Sequence, residues 1–115
     1  IASPVLKVVD GALPYLQPLK PLISAWNPNR ENAYYLYGGR WPAQPVSPAG
    51  LDYDELYGRS ANQERLIGGE GTQLTSNDWV FLRPATREGV LGDFSEIRLL
   101  RRGQLVGRWS TIGNA

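Results

Sequence analysis

Thirteen glycines and nine prolines are spread through 115 residues, and they limit the length of every element this chain can form. A proline inside a helix removes a donor and costs ~3 kcal/mol, and each glycine adds chain entropy that folding must remove. The expected product is a loop-rich fold of short strands. Hydrophobic residues make up 42% of the sequence and aromatics 10%, enough for a core, so disorder of the whole chain is not expected. The length suits one domain.

Residues 1–32 read as a connector, partly helical. Ser3-Pro4 has the form of an N-cap and a first-turn proline, opening a short helix through Val5, Leu6, Val8 and Val9 that Gly11 would stop. Pro14, Pro18 and Pro21 then punctuate an apolar stretch. A last turn from Pro21 would place Leu22, Ile23 and Trp26 on one face, before an Asn27-Pro28-Asn29 turn. These apolar side chains need a surface to lie on.

From Ala33 the character turns to strand. Ala33 to Tyr37 is aromatic and apolar, and Gly38-Gly39 interrupts it with a bulge or a close backbone approach. Residues 42–56 hold three prolines and a glycine and read as an extended loop or edge segment. Trp79 to Leu82 is a buried strand closing at Arg83-Pro84, and Gly89 to Phe94 reads as a further short strand. Glu96–Arg101 and Gln104–Trp109 flank Arg102-Gly103, a two-residue hairpin turn, with Ile97, Leu99, Leu105 and Trp109 at alternate positions. The fold class is therefore mainly β, a small antiparallel barrel or sandwich-like domain over residues 33–115.

The composition excludes several chemistries. With no cysteine and no histidine, the chain offers neither a thiolate nor the usual metal ligand and general base near neutral pH. Basic residues number 12 and acidic residues 11, with no long basic run, so nucleic-acid binding is not expected. Nothing in the sequence resembles a signal peptide or a membrane span, so cytoplasmic residence without a membrane partner is expected. A chain that opens Ile1-Ala2-Ser3 and holds no methionine reads as a processed product or part of a longer protein.

Polar groups concentrate in two places. Leu56-Tyr57-Gly58-Arg59-Ser60-Ala61-Asn62-Gln63-Glu64-Arg65-Leu66 offers a phenol, two guanidiniums, a hydroxyl, two amides and a carboxylate, framed by Gly58 and the Gly68-Gly69 pair. Such a loop is either plain solvated surface or a binding loop carried by a rigid sheet. Tyr57 and Glu64 could carry protons if their pKa values are shifted. Arg83 to Gly89 is a second polar turn, in which Thr86 and Glu88 share a side if the backbone is extended. Asp52, Asp54 and Glu55 lack the pattern of a calcium loop and read as a solvated acidic patch. Tyr34, Tyr35, Tyr37 and Trp41 form either core or a stacking platform for sugars or bases.

Three stretches in order carry a resemblance: Tyr35-Leu36-Tyr37-Gly38-Gly39, Tyr57 to Glu64, and Asp78-Trp79-Val80-Phe81-Leu82-Arg83-Pro84. Together with Gly103 and Arg108-Trp109 they resemble the C-terminal domain of fold-type III pyridoxal-phosphate enzymes. The likeness is to the group of D-serine dehydratase, D-threonine aldolase and bacterial D-amino-acid deaminase, and it covers roughly residues 33–110. It implies a parent enzyme, commonly a homodimer, in which an N-terminal (β/α)₈ barrel carries the cofactor lysine. Lys7 and Lys20 lie in the connector and are not expected to serve as that lysine. Zinc-dependent members place a His-x-Cys or His-x-Asp pair after the strand proline. Here those positions fall on Thr86 and Glu88, and the loop histidine position on Glu64 or Gln63, so no metal is expected.

The resemblance therefore implies a D-amino-acid lyase or deaminase whose acid is Glu64 or Glu88, with Tyr57 as the alternative acid/base. Arg59, Ser60, Asn62, Gln63 and Thr86 would line the substrate side, and pyridoxal phosphate would be bound mainly outside this chain. Two rival expectations come from other classes. One is a stand-alone β module binding carbohydrate or peptide through Tyr34, Tyr37 and Trp41. The other is an interaction domain whose apolar connector docks on a partner.

Overall fold

A computed structural model describes residues 1–10, 31–55, 58–86 and 88–111. Among them are eight strands and one short helix: β1 (Ala2–Asp10), β2 (Asn32–Tyr37), β3 (Ala43–Ser47), β4 (Asp52–Tyr53), β5 (Gln63–Gly68), β6 (Trp79–Pro84), α1 (Glu88–Leu91), β7 (Glu96–Arg101) and β8 (Gln104–Ser110). The domain is mainly β, as the glycine and proline spacing predicts. The chain divides into two compact units, one within Ile1–Arg40 and Gln44–Arg83, the other within Trp41–Ala43 and Pro84–Ala115.

The first unit is a barrel-like six-stranded sheet in the order β3-β6-β1-β2-β5-β4. Antiparallel ladders join β1 to β6, β1 to β2, β2 to β5 and β5 to β4. Register follows the period of two. Val5 lies opposite Leu36, and Tyr34 opposite Leu66, which puts these four side chains on one face. All four are buried, with Val80 and Leu82 of β6. Each such side chain contributes about 1.5–3 kcal/mol through the apolar surface it removes from water. The Tyr34 hydroxyl leaves this core satisfied, donating to the Thr72 carbonyl at 2.6 Å.

Two expectations of local structure are corrected. Ala2–Asp10 is a strand at the centre of the sheet, where the Ser3-Pro4 pattern suggested a helix. Val5, Val8 and Val9 are β-branched, and two flanking strands supply ladder partners that a helix there would forgo. Ala2 to Pro4 pair with β6 and the ladder to β2 starts at Val5, so the donor missing from Pro4 leaves no gap in that ladder. The N–H of Tyr37 is met instead by the Ser3 hydroxyl at 3.2 Å. The readings made for Pro21, Leu22, Ile23, Trp26 and Asn27 to Asn29 fall outside the described residues.

In the second unit, the strand expected over Gly89 to Phe94 is instead α1. Thr86 caps it: its hydroxyl oxygen accepts the N–H of Gly89 at 3.2 Å, and Glu88 lies in the first turn. The chain leaves α1 through turn bonds from Asp93 to Val90 and from Phe94 to Leu91, and Phe94 packs on Trp41 at 5.6 Å between ring centres. The β7–β8 hairpin forms at the expected turn, with Arg102 and Gly103 both at positive φ, 50° and 76°. That is the primed geometry whose twist suits a hairpin. A bulge departs from the simple alternation. Leu99 lies opposite Gly107 but Leu100 opposite Leu105, so Val106 is the extra residue, and Leu105 leaves the face shared by Ile97, Leu99 and Trp109.

Candidate functional site

The polar loop 58–62 leads directly into β5 and is held from several sides. Its last strand-borne neighbour, Glu64, is opposite Leu36 on the core face, and its side chain is fully buried. A buried carboxylate needs a partner. Arg59 provides it in fork geometry, with Nε donating to Oε2 at 3.0 Å and Nη2 to Oε1 at 2.8 Å. The Arg59 guanidinium lies over the Tyr53 ring, 3.9 Å from its centre. Burial and the Glu64 charge together push the Tyr53 phenol above its ordinary value, against the opposing pull of Arg59.

On the other face of β5, Arg65 is buried opposite Tyr35. Its Nε donates to Asp54 at 2.7 Å and its Nη1 to the Tyr35 hydroxyl at 2.6 Å. Burial works against this guanidinium's charge, but the bonds to Asp54 and Tyr35 outweigh it and hold the pKa above the ordinary value. Asp54 is therefore not part of a solvated acidic patch: it is buried in an ion pair, while Asp52 and Glu55 are exposed.

A turn braces the loop from β2. A side chain at Gly39 would collide with the Ala61 carbonyl oxygen, so the Gly38-Gly39 pair marks the close backbone approach the sequence suggests. Arg40 follows at φ 59°, a left-handed conformation that costs a non-glycine residue about 1–2 kcal/mol. Its Nη2 donates to the Arg59 carbonyl at 3.4 Å. Within the loop the Ser60 hydroxyl donates to the Asn62 Oδ1 at 2.8 Å.

The structure thus joins Arg59 with Glu64 and Ser60 with Asn62, and it leaves Gln63 exposed at the start of β5 opposite Tyr37. Tyr57 and Arg87 lie outside the described residues. Thr86 and Glu88 belong to the second unit, at the start of α1. The expectation that they share one side of an extended backbone is corrected, because the Thr86 hydroxyl is turned to capping. The aromatic platform is not assembled either. Tyr34 is core, Tyr35 points to the opposite face, Tyr37 is 59% exposed and Trp41 packs on Phe94. Sequence reasoning missed Tyr53, Arg40 and the Asp54–Arg65 pair. For the pair, a carboxylate just after a short strand-like Asp52-Tyr53 segment was the available signal. For Arg40 it was the preceding glycine pair.

Neither a family model nor any curated protein or solved structure shows significant similarity to this chain. No helix among the described residues is long and apolar enough to cross a membrane.

Proposed function

We propose that this chain is the C-terminal β domain of a pyridoxal-phosphate-dependent enzyme acting on D-amino acids. The parent is a cytoplasmic lyase or deaminase of the D-serine dehydratase and D-threonine aldolase kind, a homodimer whose barrel domain this domain completes. One observation supports the reading above others: the three stretches that carry the resemblance meet in one sheet. Leu36 and Tyr37 of the first lie opposite Glu64 and Gln63 of the second, and Gly39 packs on Ala61. The third, on β6, joins them through β1. Residues that are far apart in sequence and carry one likeness are then neighbours for a physical reason.

The domain's own residues do distinct work in this reading. Arg59 and Glu64 fix the loop, and Ser60, Asn62 and Gln63 present hydroxyl and amide groups to the substrate. A role for Glu64 as acid requires it to exchange its bond with Arg59 first. Tyr57 is the other candidate proton carrier. Thr86 and Glu88 make a poor zinc pair, so the proposed chemistry uses no metal.

Bound pyridoxal phosphate supplies the electron sink. Lys7 does not fit the lysine that holds it. Its side chain is exposed, with Nζ 4.7 Å from the centre of the Tyr35 ring. The cofactor's binding groups are assigned to the barrel.

The test is to express the full reading frame that encodes this chain. The purified protein is expected to show the visible absorbance of bound pyridoxal phosphate, lost on borohydride reduction, and to release ammonia or an aldehyde from a D-amino acid but not its L form. A pure, folded protein that acquires no absorbance with added cofactor and turns over no D-amino acid overturns the proposal.

A further inference from the structure

We infer that Arg40, together with the Ser60–Asn62 pair, forms a recognition site for a small carboxylate, that of the amino-acid substrate. The inference rests on the reading above for the identity of the ligand, though not for the existence of the site.

The backbone gives the first reason. A left-handed conformation at a long side chain persists only where the surroundings enforce it, and such residues gather at binding sites. At Arg40 the enforcing contact is visible. Gly38 is at φ 151°, Gly39 lies against the Ala61 carbonyl, and the turn is thereby locked to the loop it serves. A glycine in place of Arg40 would form this turn without strain, so the turn itself does not call for an arginine.

Charge gives the second. Arg59 is neutralised by Glu64 and Arg65 by Asp54. Arg40 is exposed, and among the described residues no carboxylate meets it. Its bond runs to the neutral carbonyl of Arg59, and at 3.4 Å it is long. That carbonyl belongs to the peptide bond leading into Ser60, so the guanidinium rests on the backbone of the loop that carries Ser60 and Asn62. The Ser60 hydroxyl donates to Asn62 Oδ1, so the exposed Asn62 side chain keeps its amide N–H groups as donors.

The set defines the ligand. One planar guanidinium and one amide match the two oxygens of a planar monoanion. A phosphate dianion is better served by several cations or a nest of backbone N–H groups.

The experiment uses the full-length protein and is independent of cofactor binding and turnover. Saturation-transfer NMR with acetate, repeated with inorganic phosphate as competitor, reads the site directly. Acetate is expected to bind saturably, Arg40→Gln to weaken it roughly tenfold, and Arg40→Lys to retain part of it. Arg40→Gly keeps the turn and is expected to melt no lower than the parent while losing acetate as Arg40→Gln does. Arg101→Gln, in the hairpin, should bind as the parent does. Unchanged acetate binding in Arg40→Gly overturns the inference, and so does phosphate displacing acetate at far lower concentration. Absence of cofactor absorbance would instead count against the enzyme reading alone.

Discussion

Arg59 and Arg65 are six positions apart and both end in buried carboxylates, yet they meet different surroundings. Arg65 is enclosed between Asp54 and the Tyr35 hydroxyl, whereas Arg59 keeps 34% of its side chain exposed and rests on Tyr53. Tyr53 therefore closes the Arg59–Glu64 pair on one side, and its phenol is held above its ordinary pKa by burial and by the Glu64 charge. The sign of the consequence is fixed. A group whose folded pKa is raised adds stability that is fully present below the unfolded pKa and lost as pH rises through the folded one. The expected window opens at about pH 10, the ordinary tyrosine value. Stability measured by urea midpoint should fall above that pH, and Tyr53→Phe should remove this part of the fall. An ultraviolet titration in which Tyr53 ionises with the exposed tyrosines would refute the assignment. Sequence reasoning singled out both Arg59 and Glu64 but not their bond. Two residues five apart face each other only if the chain turns between them, and that turn is braced by Gly39 and Arg40, which follow β2.

Elements show the same division between local and long-range causes. The β7–β8 turn is legible because Arg102-Gly103 decides it locally. The bulge at Val106 is not, since it depends on which residues across the ladder pair, and it moves Leu105 to the other face. The strand β1 is the larger instance. Ser3-Pro4 followed by an apolar run satisfies a helix start, and only the simultaneous presence of β6 and β2 makes the extended form better. Likewise α1 follows from the Thr86 cap, whose meaning depends on the chain turning after β6. At the turn a residue substitution tests the local cause. Primed turns prefer asparagine at their first central position because it tolerates positive φ. Arg102→Asn is therefore expected to raise stability by roughly 0.5 kcal/mol. Gly103→Ala, at φ 76°, is expected to lower it by about 1 kcal/mol. A denaturant series on the two variants should place their midpoints on opposite sides of the parent's.

At the scale of the whole molecule, apolar burial is distributed unevenly between the two units. The ladder β1–β2–β5 carries Val5, Ala33, Tyr34, Leu36, Leu66 and Ile67, all buried. The hairpin β7–β8 exposes Leu100, Leu105, Val106 and Trp109, and Arg98 lies directly opposite Arg108. Like charges at directly opposed positions disfavour a strand pair. Glu96 relieves this, with Arg98 at 3.0 Å and Arg108 at 3.6 Å. The bond from Arg98, and then the charges of the two arginines, hold the Glu96 carboxyl below its ordinary value. Such surface pairs contribute little and are screened by salt, so the hairpin owes its order chiefly to its turn and ladder. Local opening free energies follow burial, because exposed strands lose little apolar contact when they separate. Backbone amides of β7 and β8 are therefore expected to exchange with solvent deuterium at least roughly tenfold faster than those of β2 and β5. The difference should widen at acid pH, where protonation of Glu96 releases both arginines and leaves their repulsion unopposed. Equal protection of the two sets at neutral pH would mean that the hairpin's exposed leucines and tryptophan are covered in solution.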